Sequence, residues 1–156
     1  MQKKESAQPH KNAELSAGSK RILTYPSQKS SACAEVLAHL LAGEVLTAVD
    51  TLDDASTMRA AAHVHYLSNR YGWPIAAETR ATGCADGRMA LVAAYRLPAD
   101  CIYEARAAGA GEWCAEVHKA RKALRAKAPE AYRLAAAING TRDYAASGVC
   151  NQKGGT

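Results

Sequence analysis

The chain has 156 residues with 20 Lys/Arg against 15 Asp/Glu, which gives a net charge of +5. This length allows one substantial core and excludes a protein of more than two domains. No apolar run approaches the roughly 18 residues that a membrane helix needs, and the first 20 residues lack a hydrophobic signal segment, so we expect a soluble cytoplasmic protein without a membrane partner.

Residues 1–26 are rich in Lys, Ser, Gln and Ala and poor in large apolar side chains. Such a segment buries too little apolar surface to order itself, so we predict a flexible basic arm. Within this arm the stretch "RILTYP" is either a small hydrophobic anchor, a short edge strand docked on the domain, or one apolar patch in a disordered tail.

Residues 27–97 are predicted to form the main domain. Apolar residues at helical spacing indicate a first helix over residues 27–42, and Gly43 is placed to end it. The next stretch, "EVLT", indicates a short extended segment. Thr47 and Asp50 then resemble a capping pair that opens a brief helix through Leu52.

A longer helix is predicted within "STMRAAAHVHYLSNRYGWPI", residues 56–75. Gly72 ends it, and Trp73, which precedes Pro74, favours extended backbone. The stretches "PIAAETRAT" and "RMALVAAYRL" follow as two strands joined by "GCADG". The predicted fold class is therefore mainly α with a two-stranded β-wing, a winged helix-turn-helix with a helical C-terminal extension.

Residues 98–140 are predicted to form that extension, with helices beginning near Pro98, Gly109 and Pro129. In the middle helix one face carries large apolar residues, expected to pack within the protein or across a dimer: Trp113, Val117 and Leu124. The other face is basic, and is either solvated or in contact with DNA: His118, Lys119, Lys122 and Arg125. Residues 141–156 are expected to be a flexible tail.

The helix before Gly72 has two distinct faces at about 100° per residue. Ala60, Val64, Leu67 and Tyr71 fall in one narrow sector and are predicted to be buried. The opposite sector and its flanks carry the candidate DNA-binding residues, to which the hairpin adds two arginines. These candidates are Arg59, Ala62, His63, Tyr66, Asn69, Arg70, Arg80 and Arg88.

Each of these residue types suits a helix lying in a major groove. Ala62 leaves room for close approach, Arg59 can pair with guanine, and Asn69 can pair with adenine or phosphate. His63, Tyr66 and Arg70 can reach backbone oxygens, and the hairpin arginines can contact phosphate or the minor groove. The alternative for both elements is a merely solvated surface.

The stretch from residue 56 to 75, with "AAYRL" after the turn, resembles a family of small helix-turn-helix domains often found in bacteriophages and prophages. The resemblance covers residues 28–97, and the chain differs from the pattern in having His63, Ser68 and Asn69 where basic residues are frequent. It implies DNA binding and a bacterial, nucleoid-associated location. The matching positions are Met58, Arg59, Ala61, Ala62, Val64, His65, Leu67, Arg70, Gly72, Trp73, Pro74, Ile75, Tyr95, Arg96 and Leu97.

Other chemistry finds little support in the sequence. No phosphate loop, nucleophile motif or pair of catalytic carboxylates is present, so we expect no enzyme and no cofactor. His63 and His65 project in opposite directions from a helix and do not chelate one metal. Cys114 and His118 have a usable ligand spacing, but the sequence supplies no further ligands beside them, so no metal site is assigned.

The resulting hypothesis is a phage-type or prophage-type transcriptional regulator that binds double-stranded DNA and forms a homodimer through its C-terminal helices. The alternative is a protein-interaction module on a winged-helix scaffold that acts on a phage or host protein. The alternative is motivated by the charge of the main domain. Residues 27–97 carry six Lys/Arg against seven Asp/Glu, so this domain is not generally basic.

Overall fold

A computed structural model describes the backbone of residues 22–149 and the side chains of residues 22–140. In this range the chain is mainly helical, with one small antiparallel sheet, as expected. The helices are α1 (Ala32–Ala42), α2 (Ala48–Ala55), α3 (Ala60–Tyr71), α4 (Ala99–Ala107), α5 (Ala110–Arg125) and α6 (Ala128–Val149). The strands are β1 (Leu46–Thr47), β2 (Ala76–Gly83) and β3 (Met89–Arg96).

Local side-chain bonds set the ends of the first two helices. The Ser31 hydroxyl accepts from the Ala34 amide at 3.2 Å, so α1 begins at Ala32, five residues later than expected. The predicted capping pair is confirmed, because Asp50 accepts from the Thr47 amide at 2.7 Å and Thr47 accepts from the Asp50 amide at 3.4 Å. These bonds open α2, which continues to Ala55 rather than stopping at Leu52.

The expected hairpin is present as part of a larger sheet. β2 and β3 pair along their whole lengths, with Ala76 opposite Arg96 and Gly83 opposite Met89. β1 pairs with the other edge of β3, which gives three strands in the order β1-β3-β2. The expectation of two strands was wrong, because the short extended segment at Leu46 finds its partner almost 50 residues later at Tyr95.

The core is centred on α1. Leu37, Leu40 and Leu41 are fully buried there, and they pack in one cluster with Leu67 of α3 and Trp73. The helices α3, α4 and α5 all contact α1. The C-terminal helices α4 and α5 therefore complete the same core as the segment before residue 97.

A charged pair lies between α1 and α5. Glu35 and Arg121 are both buried, and Arg121 Nε donates to Glu35 Oε2 at 2.5 Å. The same guanidinium donates to the carbonyls of Ser30 and Ala55. Arg125, assigned by sequence to a solvated or DNA-contacting face, is exposed and also lies 2.7 Å from Glu35 Oε1.

The segment before α1 is also part of the core. Trp73 Nε1 donates to the Thr24 carbonyl at 2.7 Å, and the Thr24 amide donates to the Tyr71 carbonyl at 3.1 Å. The Tyr25 ring lies between Trp73 and Trp113, with centroids 5.3 and 4.8 Å away. Leu23 and Tyr25 thus anchor residues 22–26 to the core, although Ile22 itself is exposed. Residues 1–21 of the predicted arm lie outside the described residues.

The last helix is exposed along its described side chains. Every residue from 129 to 140 is exposed, including Tyr132, Leu134 and Ile138. The helix continues through Val149, past the boundary expected at residue 140, while residues 150–156 of the predicted tail lie outside the described residues.

Candidate nucleic-acid interface

The helix α3 is anchored by the face predicted to be buried. Ala60 and Leu67 are buried, and Val64 and Tyr71 are half-buried. Gly72 adopts a left-handed conformation with φ 79°, and both its amide and that of Trp73 donate to the Leu67 carbonyl. Trp73 then enters the core, so the end of α3 is fixed in orientation.

The opposite face of α3 is open to solvent. Five of the six candidate residues on this helix are exposed, and only His63 is half-buried. The C-terminal helix α5 packs on α1 instead of covering this face. The exposed candidates are Arg59, Ala62, Tyr66, Asn69 and Arg70.

The first turn of α3 has no side-chain cap. Arg59 occupies the N-cap position without a side-chain hydrogen bond to the helix, and the first turn contains no acidic residue. The small residues Ala61 and Ala62 are exposed beside it. An uncapped first turn presents backbone N–H donors at the positive end of the helix dipole, where phosphate groups bind well.

The His63 side chain is half-buried and contacts the turn between α2 and α3. Its Nε2 lies 3.1 Å from Thr57 Oγ1, which itself accepts from the Arg59 amide at 3.2 Å. Burial lowers the pKa of His63, and the positive charge of Arg59 lowers it further. The neutral ring therefore joins the first turn of α3 to the segment that leads into it.

The second half of α3 carries two ordered side-chain pairs. The Arg70 guanidinium carbon lies 5.5 Å from the centroid of the Tyr66 ring, which also packs edge-on against Tyr71 at 5.4 Å. Asn69 Nδ2 lies within hydrogen-bonding distance of the His65 ring nitrogens, at 2.9 and 3.0 Å. These contacts restrict side chains that face solvent.

The charge of this face is uncompensated. Residues 55–77 contain two arginines and no Asp or Glu. Neither Arg59 nor Arg70 forms an ion pair with any residue between 22 and 140. The open face of α3 thus combines free cations, a small residue and polar donors.

The two hairpin arginines, unlike those of α3, form ion pairs with neighbouring acidic residues. Arg80 lies 3.5 Å from Glu78, and Arg88 lies 2.6 Å from Asp86 in the turn. As far as the side chains are described, neither arginine makes a hydrogen bond or ion pair with α3. The structure therefore brings Arg59 and His63 together through Thr57, and leaves both hairpin arginines with neighbouring acids.

Sequence reasoning missed the exposed apolar residues near these elements. Met89 and Leu91 of β3 are about 70% exposed, and Met58 before α3 is 80% exposed. The other face of β3 turns inward, with Ala94 buried and Val92 half-buried. Both faces of this strand carry apolar residues, so alternation alone did not show which one is solvated.

Comparisons with family models, with curated proteins and with solved structures find no significant match to this chain. Over the described residues no helix combines the length and apolar character needed to cross a bilayer.

Proposed function

We propose that this protein binds double-stranded DNA through the open face of α3. The single observation that carries the proposal is that Arg59 and Arg70 form no ion pair with residues 22–140 and lie on a helix face without acidic residues. In this proposal α2 and α3 form the helix-turn-helix, α3 is the recognition helix, and the β2-β3 hairpin is the wing of a winged helix.

The proposed mechanism is noncovalent and needs no cofactor. The uncapped first turn of α3 accepts a phosphate, while Arg59 pairs with a base edge or a phosphate beside it. Ala62 allows close approach to the groove. Tyr66, Asn69 and Arg70 contact the DNA backbone and adjacent bases, and release of counterions supplies most of the affinity.

His63 has a positioning role in this scheme. Its bond with Thr57 fixes the turn that carries Arg59. Arg80 and Arg88 contact DNA only after exchanging Glu78 and Asp86 for phosphate, so they contribute less than the α3 arginines.

We further propose that two copies associate through α6. Its exposed Leu134 and Ile138 are one helical turn apart, and Tyr132 is exposed nearby. A symmetric dimer would place two α3 helices on a pseudo-palindromic site. Such a protein would act as a transcriptional regulator of the phage or prophage type in the bacterial cytoplasm.

The test is selection of DNA fragments by the full-length protein. Purified protein is mixed with sheared bacterial and phage DNA at about 50 mM and about 200 mM salt, and the retained fragments are sequenced. We expect retention that falls steeply with salt and enrichment of one sequence, pseudo-palindromic if the dimer forms. Equal, negligible retention at both salt concentrations contradicts the proposal.

The second candidate function is a protein-interaction module. It is favoured by Met89 and Leu91, which are exposed two residues apart on one face of β3, since neighbouring large exposed apolar residues often mark a protein contact. Replacing Met89 and Leu91 by Ser separates the candidates. A docking surface loses its partner in this variant, whereas salt-dependent DNA binding through α3 is retained.

A further inference from the structure

Three potential metal ligands meet where α1, α2 and the loop after α1 converge. The ligand atoms of His39, Glu44 and Asp54 all lie within 4.8 Å of one another. His39 Nδ1 is 2.8 Å from Glu44 Oε2. His39 is half-buried, and the two carboxylates reach solvent. An imidazole and two carboxylates supply three ligands of the kinds that bind zinc(II).

A candidate fourth ligand, outside this cluster of three, lies on α5. His118 lines the same cavity of about 370 Å³ as His39 and Asp54. The ring centroids of His39 and His118 are 6.2 Å apart. Two imidazoles on one tetrahedral zinc have ring centroids about 5 Å apart, so zinc binding requires the His118 ring to move towards His39.

The charge around the cavity favours a cation. Asp53 and Asp54 both line it, and neither carboxylate forms an ion pair in the described part of the chain. Arg125 also lines the cavity, and its guanidinium lies 2.7 Å from Glu35 and donates to the Asp54 carbonyl. Because Arg121 already offsets Glu35, Arg125 offsets only one of the carboxylates of Glu44, Asp53 and Asp54, and the surroundings of the cavity remain net negative.

We propose that His39, Glu44, Asp54 and His118 bind one zinc(II) ion. Each imidazole gives one nitrogen and each carboxylate one oxygen, which fills a tetrahedral shell with protein ligands and makes the site structural. The ion links the end of α1, the last turn of α2 and the middle of α5. Its effect is to hold α5 and the start of the turn before α3 against α1.

Cys114, one turn before His118 on α5, is another residue that could bind zinc. Cys114 lies in a second cavity, lined by Ala38, Leu41 and Ala42, to which His118 also contributes. Burial raises the pKa of the Cys114 thiol, which disfavours the thiolate that a metal requires. Cys114 does not line the cavity that holds His39 and Asp54, so it is not part of the proposed site.

The experiment is titration of the full-length, metal-free protein with cobalt(II), followed by competition with zinc(II) and a chromophoric chelator. We expect one equivalent of cobalt to give visible absorption of a tetrahedral ion, and zinc to displace it. Zinc should also raise the midpoint of thermal unfolding. The proposal is overturned if cobalt and zinc bind only in a weak phase that does not saturate.

Variants locate the site. His39→Gln, Asp54→Asn and His118→Gln should each lower zinc affinity by more than about 100-fold, since loss of a residue that only supports a ligand already costs about 10- to 100-fold. The matched controls His65→Gln and Asp100→Asn change exposed residues on α3 and α4 and should retain the affinity. Far-UV circular dichroism confirms that each variant is folded.

Two outcomes contradict the assignment. Affinity that is unchanged in His39→Gln and Asp54→Asn places the metal elsewhere in the chain. Affinity lost in Cys114→Ser makes the thiol a ligand and removes the proposed shell. Neither measurement uses DNA, so failure of the zinc site is distinguishable from failure of the proposed function.

Discussion

Arg121 Nε on α5 lies 2.5 Å from Glu35 Oε2 on α1, and both side chains are more than nine-tenths buried. Arg121 also donates to the carbonyl of Ala55, the last residue of α2. One guanidinium thus joins α1, α2 and α5. The helix α5 is therefore a structural part of the unit that presents α3.

Removing this guanidinium should destabilise the protein strongly. Arg121→Met leaves Glu35 buried with only Arg125 beside it, and we expect the free energy of unfolding to fall by about 3 kcal/mol. Urea denaturation measures the change, with Arg133→Met on the exposed part of α6 as the control. A loss no larger than in the control would show that the buried pair contributes little.

The close approach at Gly72 gives a second stability prediction. A Cβ at this position would lie 3.0 Å from the Ile22 carbonyl oxygen, with φ at +79°. Gly43 has φ +92° but open space around it, so Gly43→Ala measures backbone strain alone. We expect Gly43→Ala to cost about 1 kcal/mol and Gly72→Ala about 2 kcal/mol or more in urea unfolding. Equal costs would mean that the Ile22 contact is unimportant.

The anchor before α1, residues 22–26, gives a third stability prediction. Trp73→Phe removes the hydrogen bond to the Thr24 carbonyl and should lower the free energy of unfolding by about 1–2 kcal/mol. Trp113→Phe is the matched control, because Trp113 is only half-buried and contacts Tyr25 through its ring. Limited proteolysis should also cut more readily near residues 22–26 in Trp73→Phe, and identical cleavage in both variants would contradict this role.

Local features of the sequence predicted the local structure well. Thr47 and Asp50 are three residues apart and cap α2, and Gly72 ends α3, because both effects depend only on near neighbours. The buried stripe of α3 followed from helical spacing in the same way. For the candidate site, helical spacing identified the exposed face of α3. The bond between Thr57 and His63 depends on the geometry of the turn and could not be predicted from the sequence.

Contacts between distant segments were not predictable from spacing. Glu35 lies on the buried side of α1 only because Arg121 and Arg125, more than 80 residues later, neutralise it. The pairing of Leu46 with Tyr95 and the approach of His118 to His39 likewise depend on how helices and strands pack. A single sequence contains no signal that joins such residues.

The lowered pKa of His63 predicts a pH dependence of stability. The unfolded chain takes up a proton near the ordinary value of 6.5, whereas folded His63 resists protonation. The contribution of His63 to the free energy of unfolding is fully present above pH 6.5 and is lost as the pH falls towards its folded pKa. The free energy of unfolding, measured at about pH 7.5 and about pH 5.5, should fall less in His63→Gln than in the unchanged protein. Equal decreases would contradict the assignment.

The measurement that tests the central claim most directly is the salt dependence of DNA affinity for the full-length protein, Arg59→Ala and the control Arg133→Ala. Fluorescence anisotropy with a selected duplex gives the dissociation constant at several salt concentrations. If Arg59 contacts a phosphate, Arg59→Ala should weaken binding and reduce the slope of log K against log salt by about one. If it reads a base, the variant should lose about 1–3 kcal/mol of discrimination between sites. Arg59→Ala with the same affinity, salt slope and site preference as Arg133→Ala would contradict binding through the open face of α3.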